Sequence, residues 1–373
     1  MKIVVLGGYG NTGIRISRLL AEVTDVDIVI AGRNQDKADR AAASIESATG
    51  GNLSGVRVEA SDHGSLSKVL EHADLIIAAT SGFDAESIIN SAVATDTHYL
   101  DIYLSFPRKM EVLRSKEEEI IKKGLCFITD GGFHPGVPGA MVRMAGQKLP
   151  KMTKAEVGGS FSLNWSKTEL SQSTRTEFLV SLCEMNISAF VQGEWKKSIW
   201  NLRKFDFGPQ QGQAYCFPMY MEELRNLPEK FPALRDTGFY IAGFHPVFDY
   251  LVMPACMAAV KIFPGKADSI SNFFIYSLKK MSKKEEWGIL LLEAEEMNNG
   301  GRNTLQMRLE APDPYDLTAI PVISCLSQFF QGLRTSGIHT QAEFVDPLPF
   351  FQEMEKMGVE LQLKINGESL KLE

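Results

Sequence analysis

The sequence predicts an α/β fold: a doubly wound parallel sheet, followed by a second domain of mixed α+β character. Two observations carry the first part. An apolar run at the start of the chain breaks into closely spaced glycines, and strand patterns then alternate with helical ones over residues 1–145. A third observation carries the second part: from about Lys151 that alternation stops. A chain of 373 residues has room for two domains, or for one domain with a large insertion.

Residues 2–6 (KIVVL) form a β-branched run without alternation, the pattern of a strand buried on both faces. Gly8, Gly10 and Gly13 follow as G-x-G-x-x-G. The first glycine permits a tight turn, the second lets the backbone approach a pyrophosphate, and the third lets helix and strand pack closely. A helix over residues 11–21 would aim its N-terminal N–H groups at that pyrophosphate, with Tyr9, Asn11 and Thr12 completing the loop. Alone the motif is a weak signal, and a plain glycine-rich turn is the bland alternative. The strand before it, the helix after it and a second strand at 27–31 decide for a dinucleotide site. Residues 55–60 read as a third strand, ending at Ser61 and Asp62, and residues 74–80 (DLIIAAT) as a fourth. The fifth and sixth strands are 97–103 (THYLDIY) and 124–130 (GLCFITD). Helical stretches such as PRKMEVLRSKEEEIIKKG between them imply right-handed crossovers and a Rossmann sheet. The end of the fourth strand faces the switch-point crevice, so Ala79, Thr80, Ser81 and Gly82 are expected beside the nicotinamide.

The end of the second strand selects the cofactor. NAD sites place Asp or Glu about 20 residues beyond the glycines, to bond the ribose 2′-OH. Here Ala31, Gly32, Arg33 and Asn34 stand in that place. An acidic side chain would repel a 2′-phosphate, whereas Arg33 can clamp one. The cofactor expected is therefore NADP rather than NAD, with Arg33 and Asn34 at its 2′-phosphate. The plainer alternative leaves Arg33 solvated at the sheet edge.

Composition bounds the rest. A formal charge of −7 argues against a general nucleic-acid binder. Cys126, Cys183, Cys216, Cys256 and Cys325 are scattered without a CxxC pair, and six dispersed histidines give no zinc spacing. No metal is expected, and the thiols suit a reduced, cytoplasmic protein. The first apolar run lacks a basic n-region and ends in glycines, so it reads as a strand and not as a signal peptide. Residues 238–263 are apolar but interrupted by Pro246, Asp249 and Pro254. No uncharged run of about 20 residues survives, so a membrane partner is disfavoured and a buried core element is expected. Peripheral membrane contact is the alternative.

Taken in order, GGYGNTG, AGRN, Asp62, ADLIIAATSGF, THYLDIY and ITDGGFHPGVPGAM resemble the saccharopine dehydrogenase-like family. The resemblance resumes with DLTAIPVISCLSQFFQGLRTSGIH and DPLPFFQEMEKMGVE, and is loose in the middle. It implies a Rossmann domain over 1–145, an inserted α+β substrate and dimerisation domain over 146–312, and C-terminal helices over 313–373 that return to the first domain. The residues agree: EVGGSFSLNW and the stretches around FDFGP, QAYCFPMY and NTLQMRLEAPD read as antiparallel strands. The resemblance also implies hydride transfer between NADP(H) or NAD(H) and a carbon bonded to nitrogen in a small amine or imine, and a homodimer. Asp62 joins the cofactor-binding set.

Such chemistry needs one proton-transfer group and partners for the substrate's charges. His134, in the loop after the sixth strand, and Asp101, ending the fifth, are the candidates. The plainer roles are a histidine that fixes the Pro-Gly turn and an aspartate that caps one. Tyr99, Tyr103, Pro135 and Gly136 are expected around the substrate, though tyrosines at such positions often only pack. Arg175, in the polar stretch with Asn164, Ser166 and Thr174, could bind a carboxylate or lie on a solvated helix face. The chain departs from the saccharopine reductases at His134, where they tend to carry an acid, and in YLDIYLS, which argues against saccharopine and lysine as substrates. Three alternatives stand beside this reading. Tyr276 and Lys280 have the Tyr-x-x-x-Lys spacing of short-chain dehydrogenases but lie far too late in the chain. The protein could instead be an NADP-binding sensor or scaffold, or act on a lipid-like substrate at a membrane through residues 238–263.

Overall fold

The computed structural model describes residues 1–372 apart from 81–83, 199, 210, 283, 284, 299, 300, 312 and 314. The chain folds as two compact units. One is Met1–Ala140 with Tyr315–Gly358, the other Met141–Pro314 with Val359–Glu373.

The first unit opens with β1 (Lys2–Leu6), α1 (Asn11–Val23), β2 (Asp27–Gly32), α2 (Gln35–Thr49), β3 (Leu53–Arg57) and α3 (His63–Leu70). It continues through β4 (Leu75–Ala78), α4 (Ala85–Ala94), β5 (His98–Asp101), α5 (Pro107–Lys122), β6 (Cys126–Thr129) and into α6 (Val137–Lys148). The strands assemble in parallel in the order 3-2-1-4-5-6, so the direction of winding reverses between β1 and β4. Their apolar runs have no alternation because helices cover both faces. β1, β4 and β6 are buried almost throughout. One face packs Val4, Ile76, Tyr99 and Phe127 against Leu66, Ile88, Leu113 and Ile120 of the helices. The third strand begins and ends earlier than the sequence suggested, so Ser61 and Asp62 lie in the turn beyond it.

The second unit holds β7 (Met152–Ser162), α7 (Gln172–Glu184), β8 (Ser188–Val191), β9 (Glu194–Lys197), β10 (Arg203–Asp206), β11 (Gln213–Met219), α8 (Leu227–Lys230) and β12 (Asp236–Ala242). A π-helical turn at Phe248–Val252 leads into α9 (Met253–Ile262), then α10 (Ala267–Met281), β13 (Trp287–Asn298) and β14 (Gly301–Ala311). These strands belong to a ten-stranded sheet that is mixed, not antiparallel: β12 runs parallel to β7, from Asp236 beside Lys154 to Ile241 beside Gly159. α7, α9 and α10 pack on one another around Trp165, Phe248 and Phe274.

The chain then supplies the first unit with α11 (Asp316–Phe330), β15 (Gly337–Thr340), α12 (Gln341–Phe344) and α13 (Pro347–Lys356). α11 packs on α1, and β15 joins the edge of the parallel sheet beside β6. So C-terminal helices do return to the first unit, but the expected block 313–373 is not uniform. β16 (Glu360–Ile365) and β17 (Glu368–Leu370) extend the mixed sheet beside β14. ELQLKI alternates polar and apolar residues, a period-two signal of a half-buried strand that the helical expectation overrode. The first boundary likewise falls after Ala140, inside α6, and not at 145.

Residues 238–263 divide as well. Phe239 and Tyr240 of β12 are fully buried, as expected of a core element. α9 is not: Cys256 is its one buried residue.

Candidate functional site

The glycine turn is built from Gly7 onward. Gly7 takes φ +83°, and a Cβ there would sit 2.5 Å from the Ala79 carbonyl oxygen. A Cβ on Gly13 would overlap the Gly7 carbonyl, so the protein's own packing requires glycine at both positions. Gly10 differs: its nearest neighbour would be the Gly7 oxygen at 3.2 Å. The constraint is milder than at Gly7 or Gly13, although a Cβ would still press on the Gly7 carbonyl; a bare backbone here also lets a ligand come close. Gly10 is also the N-cap of α1, with no side-chain cap and no acidic residue in the first turn. The helix thus begins with uncapped N–H groups and an unopposed positive dipole end, the arrangement that takes phosphate. Gly8 is buried under Ile30, and Thr12 lies in the first turn. Asn11 donates to the Tyr315 hydroxyl at 3.0 Å, which ties the turn to the segment leading into α11.

Tyr9 reaches over to β2. Its ring occupies the space beside Gly32, where a Cβ would come within 2.5 Å of it, and its hydroxyl accepts the Asn34 backbone N–H at 3.2 Å. Asn34 caps α2 by accepting the Lys37 N–H at 2.9 Å. Arg33 between them is exposed and, among the described residues, makes no ion pair. A cleft lined by Gly7, Tyr9, Gly10, Gly32, Arg33, Val58, Glu59, Ala60, Ala79 and Thr80 joins these parts. Ser81 and Gly82 lie outside the described residues. Asp62 is not among the residues lining this cleft; its carboxylate caps α3 through the N–H groups of Gly64 and Ser65.

Beyond the cleft a closed network begins. Tyr103 donates its hydroxyl proton to the Thr80 carbonyl at 2.5 Å. Lys109, on α5, sends its ammonium to the Tyr103 carbonyl, Thr129 Oγ1, Asp101 Oδ1 and Asp130 Oδ1, at 2.6–3.0 Å. Asp101 also accepts from the Tyr99 hydroxyl, Thr129 Oγ1 and the Tyr103 N–H. Ser105 donates to Asp130 Oδ2 at 2.6 Å. Lys109, Asp101 and Asp130 are at most 1% exposed. Burial alone would lower the Lys109 ammonium, but Asp101 and Asp130 outweigh it and hold it above its ordinary value. Burial pushes the Tyr99 phenol well up, with Asp101 adding to it.

This corrects two expectations. Asp101 does not open onto a crevice; it is enclosed and fully hydrogen-bonded, so it holds neighbours in place. Tyr99 is fully buried beneath it, stacked on Phe127 at 5.1 Å, and is no pocket wall. Tyr103 is half-buried and anchors Thr80, which lines the cleft.

The GGFHPG loop follows Asp130. Gln341, on α12 and fully buried, clamps it: the Gln341 amide oxygen accepts the Gly132 N–H at 3.0 Å, and its amide nitrogen donates to the Gly132 carbonyl at 2.9 Å. Gly136 takes φ +119°, with no room for a Cβ between Gln341 Nε2 and the Gly132 carbonyl. The His134–Pro135 bond is cis, Pro135 is buried, and His134 sits edge-on to Phe133. Burial lowers the His134 imidazole to about 4, so it is neutral at pH 7.

Arg175 falls in the second unit. Its guanidinium is occupied by the Leu170 carbonyl and by Asn272 Oδ1, tying α7 to α10, which corrects its assignment to a substrate carboxylate. Tyr276 and Lys280 are both exposed on α10, with the ammonium 5.4 Å from the ring centroid; they are a solvated pair.

Sequence reasoning missed Gly7, Lys109, Gln341 and Tyr315. Gly7 was signalled by the doubled glycine. Lys109 shares a helical face with Leu113 and Ile120, and a lysine on an apolar stripe calls for a buried partner. Gln341 and Tyr315 meet loops more than 200 residues away, and no local pattern marks them.

Comparisons with known proteins agree with this geometry. Residues 3–126 match the family model of the saccharopine dehydrogenase NADP binding domain, so the cofactor is NADP. A carboxynorspermidine synthase of Vibrio cholerae is 26% identical over 253 residues, which is 61% of this chain. The match spans 60% of that relative's length. The apo form of a saccharopine dehydrogenase (L-Glu forming) from Saccharomyces cerevisiae shares the fold, with a TM-score of 0.69 at 16% identity, over 98% of this chain and 99% of that one.

Proposed function

We propose that this chain, whose residues 3–126 match the model of the saccharopine dehydrogenase NADP binding domain, is an NADP-dependent oxidoreductase that transfers hydride to or from a carbon bonded to nitrogen in a small amine or imine. The observation that carries it is the open turn at Gly7–Gly13, with uncapped α1 on one side and exposed Arg33 on the other. The uncapped N–H groups of α1 would hold the pyrophosphate and Arg33 the 2′-phosphate. Bound NADPH supplies the hydride.

The chain's own task is the proton. His134 is the proton-transfer candidate that survives, on a loop fixed by Gln341 and by the network under Asp130. Being neutral at pH 7, it can accept a hydrogen bond from the N–H of an amine that enters already deprotonated, in the oxidative direction. In the reductive direction it suits an iminium that already carries its proton.

The test is a screen of amines and imines, followed by NADPH absorbance, with the wild type and His134→Gln. Turnover that falls at least about a hundredfold in the variant, with nucleotide affinity kept, supports the assignment. Tight NADPH binding without turnover on any C–N compound favours a sensor or scaffold.

A further inference from the structure

The second unit presents an apolar surface that no part of the proposed reaction uses. Among the described residues, seven of the sixteen exposed large hydrophobic side chains fall between Val247 and Tyr276. Leu251 and Ile262 are 66% and 67% exposed, and Phe263, Phe273 and Tyr276 are more than half exposed. The exposure is patterned. Leu251, Pro254, Ala255, Ala258 and Ile262 are all exposed and recur at spacings of three and four, so the stretch through α9 turns one apolar face outward. Phe273, Tyr276 and Lys280 repeat that spacing on α10, which packs beside α9. A soluble helix normally points such a stripe inward, and here the inward stripe exists as well, with Cys256, Phe274, Ile275 and Leu278 buried.

The charges around this face are mostly positive. Residues 250–281 contain four lysines and one aspartate, +4 − 1 = +3, in a chain of net −7. Lys261, Lys266 and Lys280 are exposed. Lys266 and Lys280 lie 5.9 Å and 5.4 Å from the rings of Phe263 and Tyr276, so an ammonium stands beside two of the exposed aromatics. Apolar faces fringed by lysine and aromatic side chains rest in the boundary between lipid headgroups and acyl chains. Among the described residues no helix is long and apolar enough to cross a membrane, so the contact is with a surface.

We propose that the α9–α10 face docks reversibly on an anionic lipid surface. Charge decides for this occupant over a second copy of the chain. Two such faces in two-fold contact would set lysines against lysines, whereas anionic headgroups complement them. The proposal is independent of the reaction assigned to the first unit.

The test is co-sedimentation of the full chain with phosphatidylcholine vesicles, with and without phosphatidylglycerol. Two variants accompany it: Ile262→Glu with Phe263→Glu, and Lys261, Lys266 and Lys280 each →Glu. All altered positions are exposed, and circular dichroism with NADPH binding checks that each variant folds. The expected result is pelleting with the anionic vesicles only, weakened by salt and at least about tenfold weaker in each variant. Absence of pelleting, or equal binding to phosphatidylcholine alone, overturns the proposal. So does a concentration-dependent dimer that the Glu variants break, because the face then belongs to a second copy.

Discussion

The two halves of the parallel sheet, the open end at β1 and β2 and the closed end at β5 and β6, use polar groups in opposite ways. At β1 and β2 the backbone is left open: α1 begins without a side-chain cap, and Arg33 stands exposed. At β5 and β6 the polar groups are closed in: one ammonium, two carboxylates and three hydroxyls satisfy one another at no more than 1% exposure for the charged members. Donors meant for a ligand must stay unpaired and near solvent. Groups that hold a loop in place must be paired, because an unpaired buried charge is too costly to keep. By that criterion Asp101 moves from catalysis to support, and Gly10 and Arg33 remain on the ligand side.

The comparison is broken most severely at Lys109. Lys109→Met leaves Asp101 and Asp130 buried without their cation, and loss of one partner from a buried charge set costs about 3–5 kcal/mol. Urea unfolding should show that loss; a change below about 1 kcal/mol would mean the network is dispensable.

His134 gives a pH-dependent effect of similar size. Its pKa falls from 6.5 to about 4 on folding, so below pH 6.5 the unfolded chain takes up the proton first. The neutral buried form is fully favourable above pH 6.5, and stability is lost as pH drops from there towards 4. The loss is on the order of 3 kcal/mol. His134→Gln should lack this component, so its stability relative to wild type should improve on acidification. Parallel pH profiles for the two proteins would contradict the burial of the imidazole.

Tyr9 gives the smallest effect. Tyr9→Phe keeps the ring over Gly32 but removes the acceptor for the Asn34 N–H, worth about 0.5–1.5 kcal/mol. NADPH should bind a few-fold more weakly, with NADH little changed. An equal loss for both nucleotides would place Tyr9 at the shared part of the cofactor and not at the AGRN turn.

How much was legible follows from the same contrast. The open end lies within two short stretches, residues 7–13 and 31–34, and the alternation of strands and helices around them is a periodic signal. The closed end is assembled from residues 99–130 on two strands and a helix, and Gln341 joins from 209 residues away. Neighbours of that kind come from topology, so Asp101 looked like a crevice residue when it is a buried acceptor. In the mixed sheet, β14 showed its alternation plainly, but the parallel pairing of β12 with β7 has no local signature.

The most direct test of the open end is calorimetric titration of NADPH and NADH into the wild type and Arg33→Ala. An ion-paired hydrogen bond is worth about 1.5–3 kcal/mol, so the variant should lose roughly 10–100-fold in NADPH affinity and leave NADH unchanged. If the wild type binds the two nucleotides equally, or if Arg33→Ala keeps its preference for NADPH, Arg33 does not hold the 2′-phosphate and the account of this site fails.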